Sequence, residues 1–167
     1  TTPANVRVTG ADTDPTPSRA DGFLVSGVKN VYIRGFPCNY FTGSGIRYYG
    51  YALGNPSNCV CSNNFIGITY DLFSRGYPSS CTANSNQYGI FANTSSSVNP
   101  SSCTANSNTI VGIYCAYGSI MNPSNNSCSS NTSYGIFCNY NATMYASNNT
   151  STANNGVYGL YADNGSM

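Results

Sequence analysis

The chain has 167 residues, of which only 7% are charged, and its formal net charge is +1. A nucleic-acid groove and an anionic membrane surface both call for clustered Lys and Arg, so the composition argues against either partner. No apolar run approaches the roughly 18 residues of a membrane-spanning helix. One Lys and no Glu leave almost no segment with the composition of a helix.

The segment 1–20 lacks the repeat that organises the rest of the chain. It is punctuated by Pro and Asp, and we interpret it as a leading segment or as part of an earlier coil in which "VRV" is a strand. Asp12 and Asp14 in "ADTDP" could begin a calcium loop, but no Gly-x-Glu completion follows. A solvated turn is therefore the better interpretation of this stretch.

From position 21 onward a Gly followed by a large apolar residue returns at a nearly constant interval. These glycines are Gly22, Gly45, Gly67, Gly89, Gly112, Gly135 and Gly159. The octapeptide "SSCTANSN" also occurs twice, at positions 79–86 and 101–108, which is the same interval. Self-similarity at such a period is typical of a solenoid, in which each repeat is one structural unit stacked on its neighbour.

Each repeat contains short stretches with a period of two, such as "YGIFCNY" and "VGIYCAY". Asn, Ser, Gly and Pro separate these stretches, so the pattern predicts strands joined by turns. Alternation directs the residue after each Gly, and the residue two positions later, into the core. The first inward column is Phe23, Ile46, Ile68, Ile90, Ile113, Ile136 and Leu160, and the second is Val25, Tyr48, Tyr70, Ala92, Cys115, Cys138 and Ala162. The column between them is predicted to face solvent, and it consists of Leu24, Arg47, Thr69, Phe91, Tyr114, Phe137 and Tyr161.

A further column follows a Cys-x-x-Asn pattern, continued by Ser-x-x-Asn in the last repeat; its asparagines are Asn64, Asn84, Asn106, Asn131 and Asn154. Coils of this length with apolar, small-residue and asparagine columns resemble the right-handed parallel β-helix superfamily, the pectin-lyase-like solenoids, over about positions 20–165. The resemblance implies an all-β fold in which the segment 21–167 forms about seven coils, each of about 22–24 residues. It also implies that the five asparagines form the ladder of that family, in which side-chain amides hydrogen-bond to the equivalent Asn one coil away. Asn suits this role because it tolerates left-handed turns and carries both donors and acceptors.

The eight cysteines are predicted to act mainly as small apolar core residues. Cys81 and Cys103, like Cys115 and Cys138, fall on equivalent inward positions of adjacent coils. Adjacent coils also bring Cα atoms within the range of a disulfide, so a bridge between Cys115 and Cys138 stays open as an alternative. A metal site is not predicted, because Cys59 and Cys61 have the wrong spacing for a zinc knuckle and the chain has no His.

No catalytic residue and no cofactor are predicted. Without His there is no Ser/His or Cys/His pair, and Asp71 and Asp163 share a column four coils apart, about 19 Å. Paired carboxylates of glycosidases lie about 5 to 9.5 Å apart. The pectin-degrading relatives use clustered Asp with Arg or Lys, and this chain has no such cluster to carry over. Asp71 and Arg75, close in sequence, are interpreted as a surface ion pair.

The last four members of the outward column are aromatic: Phe91, Tyr114, Phe137 and Tyr161. On successive coils they would place a ring roughly every 4.8 Å, close to the spacing of sugar rings. Such a strip could bind a glycan by ring stacking, or it could be buried against a neighbouring subunit. Both interpretations make the column an interface.

Fold alone does not give function, because solenoids of this superfamily serve enzymes, phage fibres and adhesins alike. We favour a non-enzymatic structural or receptor-binding rod of a phage tail fibre or tailspike that contacts host surface glycan. Its expected partners are that glycan or other subunits of a homo-oligomer, with a trimer expected, and its expected location is the virion tail or the cell exterior. The alternatives are a polysaccharide lyase or hydrolase of the pectin-lyase type, and a cellular surface adhesin or sheath repeat protein.

Overall fold

The computed structural model describes residues 21–151 and 154–167. The predicted leading segment, residues 1–20, lies outside this range. In chain order the strands are β1 (Phe23–Ser26), β2 (Val31–Arg34), β3 (Ser44–Tyr49), β4 (Gly54–Ser57), β5 (Ile66–Asp71), β6 (Arg75–Gly76), β7 (Tyr88–Ala92), β8 (Ser97–Val98), β9 (Val111–Cys115), β10 (Ile120–Met121), β11 (Tyr134–Cys138), β12 (Thr143–Met144) and β13 (Tyr158–Ala162). Within the described residues no helix is long and apolar enough to cross a membrane.

The odd-numbered strands β1, β3, β5, β7, β9, β11 and β13 form one seven-stranded parallel sheet, the long sheet, in sequence order. Each strand returns to this sheet one coil further along the axis, because parallel neighbours need a crossover between them. The seven strands enclose six complete turns, and β13 opens the seventh. At the usual strand spacing the described rod is about 30 Å tall.

The other faces of the rod use shorter pieces of strand. β2 pairs with β4, and β6, β8, β10 and β12 form a four-stranded parallel sheet that a bridge between Leu53 and Arg75 links to β4. A third face consists of single bridges that run from Pro37 through Val60 and Thr82 to Thr150. Every coil is therefore hydrogen-bonded to the next on all faces.

The register of the long sheet repeats the period of the sequence. Ile46, Ile68, Ile90, Ile113 and Ile136 pair in succession and are fully buried. In the second inward column the rings of Tyr48 and Tyr70 stack at 4.7 Å, and the Tyr70 hydroxyl donates to the Gly54 carbonyl oxygen at 2.9 Å. Like side chains stacked on like side chains thus fill the core.

Residues in left-handed conformation turn the chain at the corners, at equivalent places in successive coils. Before the long sheet the positive φ values are 59° at Asn63, 57° at Ser85, 56° at Ser107, 59° at Ser130 and 58° at Asn154. Short polar side chains adopt this conformation at the least cost after Gly. The corners therefore account for much of the Asn, Ser and Gly in the composition.

The recurrent glycine near the start of each strand of the long sheet does not have a positive φ, so backbone conformation does not explain it. It is required because neighbouring atoms approach its Cα closely. A Cβ at Gly67 would lie 2.6 Å from the Gly89 carbonyl oxygen and 2.9 Å from the Asn86 amide nitrogen. At Gly112 a Cβ would lie 2.8 Å from the amide nitrogen of Asn131. The missing side chain leaves the space that a buried asparagine fills.

We expect Gly89→Ala to lower the free energy of unfolding by about 1–3 kcal/mol, because its Cβ would lie 2.4 Å from the Gly112 carbonyl oxygen. Gly118→Asn is the matched control, because a Cβ there would have only Ser95 Oγ within 4 Å, at 3.6 Å. The φ of Gly118 is +69°, and Asn141 adopts a φ of 56° at the same corner one coil later, so Asn tolerates this conformation. The control should change stability by less than about 1 kcal/mol. Urea unfolding followed by circular dichroism measures both, and equal losses would contradict the close-approach explanation.

Candidate functional site

A continuous asparagine ladder runs inside the corner before the long sheet. Its members are Asn64, Asn86, Asn108, Asn131 and Asn155. Each backbone N–H donates to the Oδ1 atom of the next member at 2.8–2.9 Å. The side-chain amides also donate to backbone, as Asn86 Nδ2 does to the Cys61 carbonyl oxygen at 2.9 Å. Buried backbone groups at the corner are thereby satisfied.

Two of the five predicted ladder members lie in this ladder, and the other three do not. Asn84 and Asn106 belong to a second ladder two residues earlier, which runs in the opposite direction: Asn106 N–H donates to Asn84 Oδ1 at 2.8 Å. Its flanking members are serines, since Asn84 N–H donates to Ser62 Oγ at 3.3 Å and Ser129 N–H donates to Asn106 Oδ1 at 2.7 Å.

Asn154, the fifth predicted member, is exposed and occupies the left-handed turn position immediately before Asn155. Asn84 and Asn106 do pair one coil apart as predicted, but the prediction of a single ladder was wrong because the Cys-x-x-Asn pattern joins two columns. Cys81 stands two residues earlier in its coil than Cys61 does, since Thr82, the residue after Cys81, pairs with Val60, the residue before Cys61. A shift of two residues keeps a side chain on the same face, so alternation alone does not reveal it.

We expect Asn86→Ala to lower the free energy of unfolding by about 2–4 kcal/mol, because it leaves the buried Asn64 N–H and the Cys61 carbonyl without partners. Asn84→Ser is the control: Ser62 and Ser129 flank Asn84 and Asn106 in the same ladder, and a loss below about 1 kcal/mol is expected. Chemical unfolding of the two variants beside the parent chain checks this. Equal losses of unfolding free energy would contradict this prediction and show that the two ladders contribute equally to stability.

All eight cysteines are free and buried. Cys115 pairs in register with Cys138, and Cys81 and Cys103 lie on adjacent coils in a column that also contains Cys59. From Cys103 onward this column continues with amides, because Cys103 N–H donates to Asn126 Oδ1 at 2.9 Å and Asn126 N–H donates to Asn149 Oδ1 at 2.9 Å. The thiols therefore fill the core beside the ladders, in place of disulfides.

Burial raises the pKa of the Cys128 thiol to about 12, and it holds the pKa values of Cys61 and Tyr70 well above their ordinary range. Two thiols shift the other way. Hydrogen bonds from the neighbouring thiols of Cys81 and Cys115 lower the pKa of Cys103 and of Cys138, respectively.

We expect the free energy of unfolding to fall as pH rises above about 9. The unfolded chain ionises its thiols and then its phenols there, with ordinary pKa values near 8.5 and 10, while the buried groups stay protonated. The native state then binds more protons than the unfolded state, which gives a negative slope. The lowered pKa values act below pH 9 and do not oppose this trend.

Thermal melting followed by circular dichroism from pH 6 to 10.5 measures the effect. Cys128→Ala, which places the same residue there as Ala83 and Ala105 in earlier coils, should flatten the alkaline decline. A melting temperature that stays constant above pH 9 would contradict the burial of these groups.

The predicted aromatic column lies on the outer side of the long sheet, but its rings do not lie flat. The ring centroids are 4.7 Å apart between Phe91 and Tyr114, 5.2 Å between Tyr114 and Phe137, and 5.6 Å between Phe137 and Tyr161, with planes within 14° of parallel. Rings this close must face one another along the axis. Neighbouring rings therefore cover the ring faces, and the ring edges point outward.

Tyr114 is only 8% exposed, and Phe91, Phe137 and Tyr161 are half-buried. The prediction that this column faces solvent was wrong for Tyr114, because the rings on both sides enclose it. Thr69 in the same column is also buried, at 4% exposure. Face-to-face stacking with a row of pyranose rings is excluded along the interior of the column for the same reason.

A second set of rings, which the sequence analysis missed, lies beside the first. Tyr88, Tyr134 and Tyr158 precede the glycines and stack on the first column, with Tyr134 and Phe137 4.6 Å apart and Tyr158 and Tyr161 5.0 Å apart. The recurrence of "YG" before the apolar residue was the available signal. We call the combined surface the aromatic face; it consists of Tyr88, Phe91, Tyr114, Tyr134, Phe137, Tyr158 and Tyr161.

The same side of the sheet carries an ion chain in the first three coils. Arg47 Nη2 lies 3.1 Å from Asp71 Oδ2, and Arg47 Nη1 lies 3.8 Å from Asp21 Oδ2. Asp71 thus pairs with Arg47 of the preceding coil, and the predicted pair with Arg75 was wrong. In-register stacking brings the side chains of adjacent coils closer together than those of residues four apart in one coil. Asp71 Oδ1 also accepts from Leu72 N–H, at 2.8 Å.

A groove of about 410 Å³ lies at the corner that follows the long sheet. We call it the corner groove; it is lined by Lys29, Tyr51, Ala52, Leu53, Phe73, Arg75 and Ser95. Sequence reasoning missed it because its residues come from four successive coils and share no motif. Over residues 21–151 and 154–167 no group of three His, Cys, Asp or Glu side chains is placed to hold a metal ion.

Comparison with protein families identifies the architecture. The family model described as right handed beta helix region matches residues 4–127, which is well over half of the chain. Comparisons with curated proteins and with solved structures found no match. The match and the sequentially ordered parallel coils together confirm the predicted all-β, right-handed parallel β-helix. The chain belongs to the right-handed β-helix family.

Proposed function

We propose that the chain is a non-enzymatic shaft of a phage tail fibre or tailspike, and that its aromatic face contacts other subunits of a homo-oligomer. The observation that carries this proposal is the aromatic face itself. Its seven rings cover four successive coils on one side of the rod, and all of them except the enclosed Tyr114 stay partly exposed. Exposed apolar patches of this extent typically mark interaction sites.

The orientation of the rings favours a protein partner over a sugar at this face. A pyranose stacks on a ring face, and here neighbouring rings occupy those faces. Ring edges and tyrosine hydroxyls remain outward, and such groups pack well in the centre of a protein interface, where Tyr and Phe are enriched and charges are depleted. Asp21, Arg47 and Asp71 lie in the first three coils, away from the rings, whereas Asp163 lies close enough to Tyr161 for its charge to raise the pKa of that phenol.

Two of the three described carboxylates, Asp21 and Asp71, are held in structural contacts, which supports a protein without hydrolytic activity. Asp21 accepts the Ser44 N–H at 2.7 Å and pairs with Arg47. Asp71 accepts three donors, namely Leu72 N–H, Asn93 Nδ2 and Arg47 Nη2. The oxygens of these two carboxylates are thus already occupied by donors of the coils themselves.

A solenoid of this kind is well suited to a shaft. Hydrogen bonds between coils run along every face and no long loop interrupts the described coils, so bending requires many bonds to lengthen at once. The neutral surface of Ser, Thr, Asn and Tyr suits a location at the virion tail or the cell exterior. We propose a trimer, in which the three aromatic faces meet.

The test is the mass of the chain in solution, measured by light scattering after size exclusion, for the parent chain and a Tyr134→Ser/Tyr158→Ser variant. We expect the parent chain to be an oligomer and the variant to be a monomer, because both changes remove apolar ring area from the aromatic face. Tyr77→Ser is the control, since Tyr77 is exposed on another side of the rod. A monomeric parent chain, or an oligomer that survives the double change, would refute the subunit contact.

A glycan array run on the same variants separates the other interpretation. Saccharide binding by a monomeric parent chain that disappears in Tyr134→Ser/Tyr158→Ser, and persists in Tyr77→Ser, would make the aromatic face a recognition surface.

A further inference from the structure

The corner groove combines features that the rest of the described surface does not bring together. Its lining comes from four coils: Lys29 from the first, Tyr51 and Leu53 from the second, Phe73 and Arg75 from the third and Ser95 from the fourth. Three coil spacings amount to about 14 Å along the axis. The groove is thus long enough to hold a chain-like ligand of more than one ring.

Two aromatic rings in this groove offer faces that the aromatic face lacks. Tyr51 and Phe73 stack at 5.1 Å with planes 11° apart, and they are 66% and 45% exposed. Their column contains no further ring, because Val28 precedes Tyr51 and Ser95 follows Phe73 at the same corner. No third ring therefore covers the outer face of either ring.

Two cations flank these rings. The described residues contain four cationic side chains, namely Lys29, Arg34, Arg47 and Arg75. Only Arg47 has a carboxylate partner among the described residues, and two of the other three line this one groove. No carboxylate lines the groove with them. Two cations that have no carboxylate partner among the described residues, beside two exposed stacked rings, attract an anionic ligand.

We propose that the corner groove binds an acidic saccharide, with a pyranose ring against the exposed ring of Tyr51 and carboxylate or sulfate groups on Lys29 and Arg75. A sugar fits because its apolar ring face stacks on the aromatic ring, while its hydroxyls reach the Ser95 hydroxyl. The two cations lie two coils apart, about 10 Å, which spans two sugar rings. The ligand therefore carries its anionic groups on alternate rings. This inference uses no residue of the aromatic face, so it stands or falls separately from the shaft function.

Isothermal titration of the full chain tests the proposal with three hexasaccharides. Hyaluronan hexasaccharide carries a carboxylate on alternate rings, heparin hexasaccharide adds sulfates, and maltohexaose is neutral. We expect at least tenfold weaker binding of maltohexaose than of one of the acidic ligands, and weaker acidic binding as salt rises from about 50 to about 300 mM. The stronger of the two acidic ligands identifies the anionic group.

Matched variants locate the site. Lys29→Gln and Arg75→Gln should each weaken acidic binding several-fold, and together at least tenfold, while Arg34→Gln removes the same charge from outside the groove and should change nothing. Tyr51→Ser should abolish binding. Tyr117→Ser is its control, since Tyr117 stacks on Tyr140 at the same corner further along the rod and does not line the corner groove. Circular dichroism melts verify that each variant is folded.

The proposal is overturned if neither acidic hexasaccharide binds, if maltohexaose binds as tightly as they do, or if Arg34→Gln weakens binding as much as Lys29→Gln. Polygalacturonate hexasaccharide, with a carboxylate on every ring, tests the spacing. If it binds more tightly than hyaluronan hexasaccharide, the assignment of anionic groups to alternate rings is wrong.

Discussion

The buried amide of each ladder asparagine holds one coil to the next, and most of the other features depend on it. Asn86 accepts the Asn64 N–H and donates to the Cys61 carbonyl oxygen, so that one side chain satisfies backbone groups at two places of the corner. A buried amide of this size needs space, and the glycine that opens each strand of the long sheet supplies it. Asparagine and glycine must therefore recur together, with the same period, in every coil.

In-register stacking follows from this constraint, and it acts on both sides of the sheet. Inside, it places isoleucine on isoleucine and thiol on thiol, which packs a narrow core without disulfides. Outside, it places Arg47 between Asp21 and Asp71, and it places ring on ring along the aromatic face. The same register that makes an aromatic column also covers the faces of its rings, so a long column becomes an edge-on surface suited to a protein partner. A short column, such as Tyr51 and Phe73, has no further ring against its outer faces and stays more exposed.

This difference separates two surfaces on one rod. The aromatic face is apolar, extends over four coils and carries the proposed contact between subunits. The corner groove is small and cationic, and it carries the proposed contact with an acidic saccharide. A shaft that assembles through one side and binds a glycan at a corner needs no catalytic group, and Asp21 and Asp71 are already held in structural hydrogen bonds.

The sequence by itself determined the fold, because the constant repeat period, the alternation within each strand and the lack of helix-forming composition all leave a parallel β-solenoid. It also determined the inward apolar columns, since alternation decides which face a side chain occupies. Only the tertiary structure decided which asparagines share a ladder: a shift of two residues between coils preserves alternation, so Asn84 and Asn86 are equally compatible with the pattern. It alone decided that Tyr114 is enclosed and that Asp71 pairs with Arg47, because both depend on distances between coils. The sequence could not reveal the corner groove for the same reason, as its seven lining residues meet only when four coils are stacked.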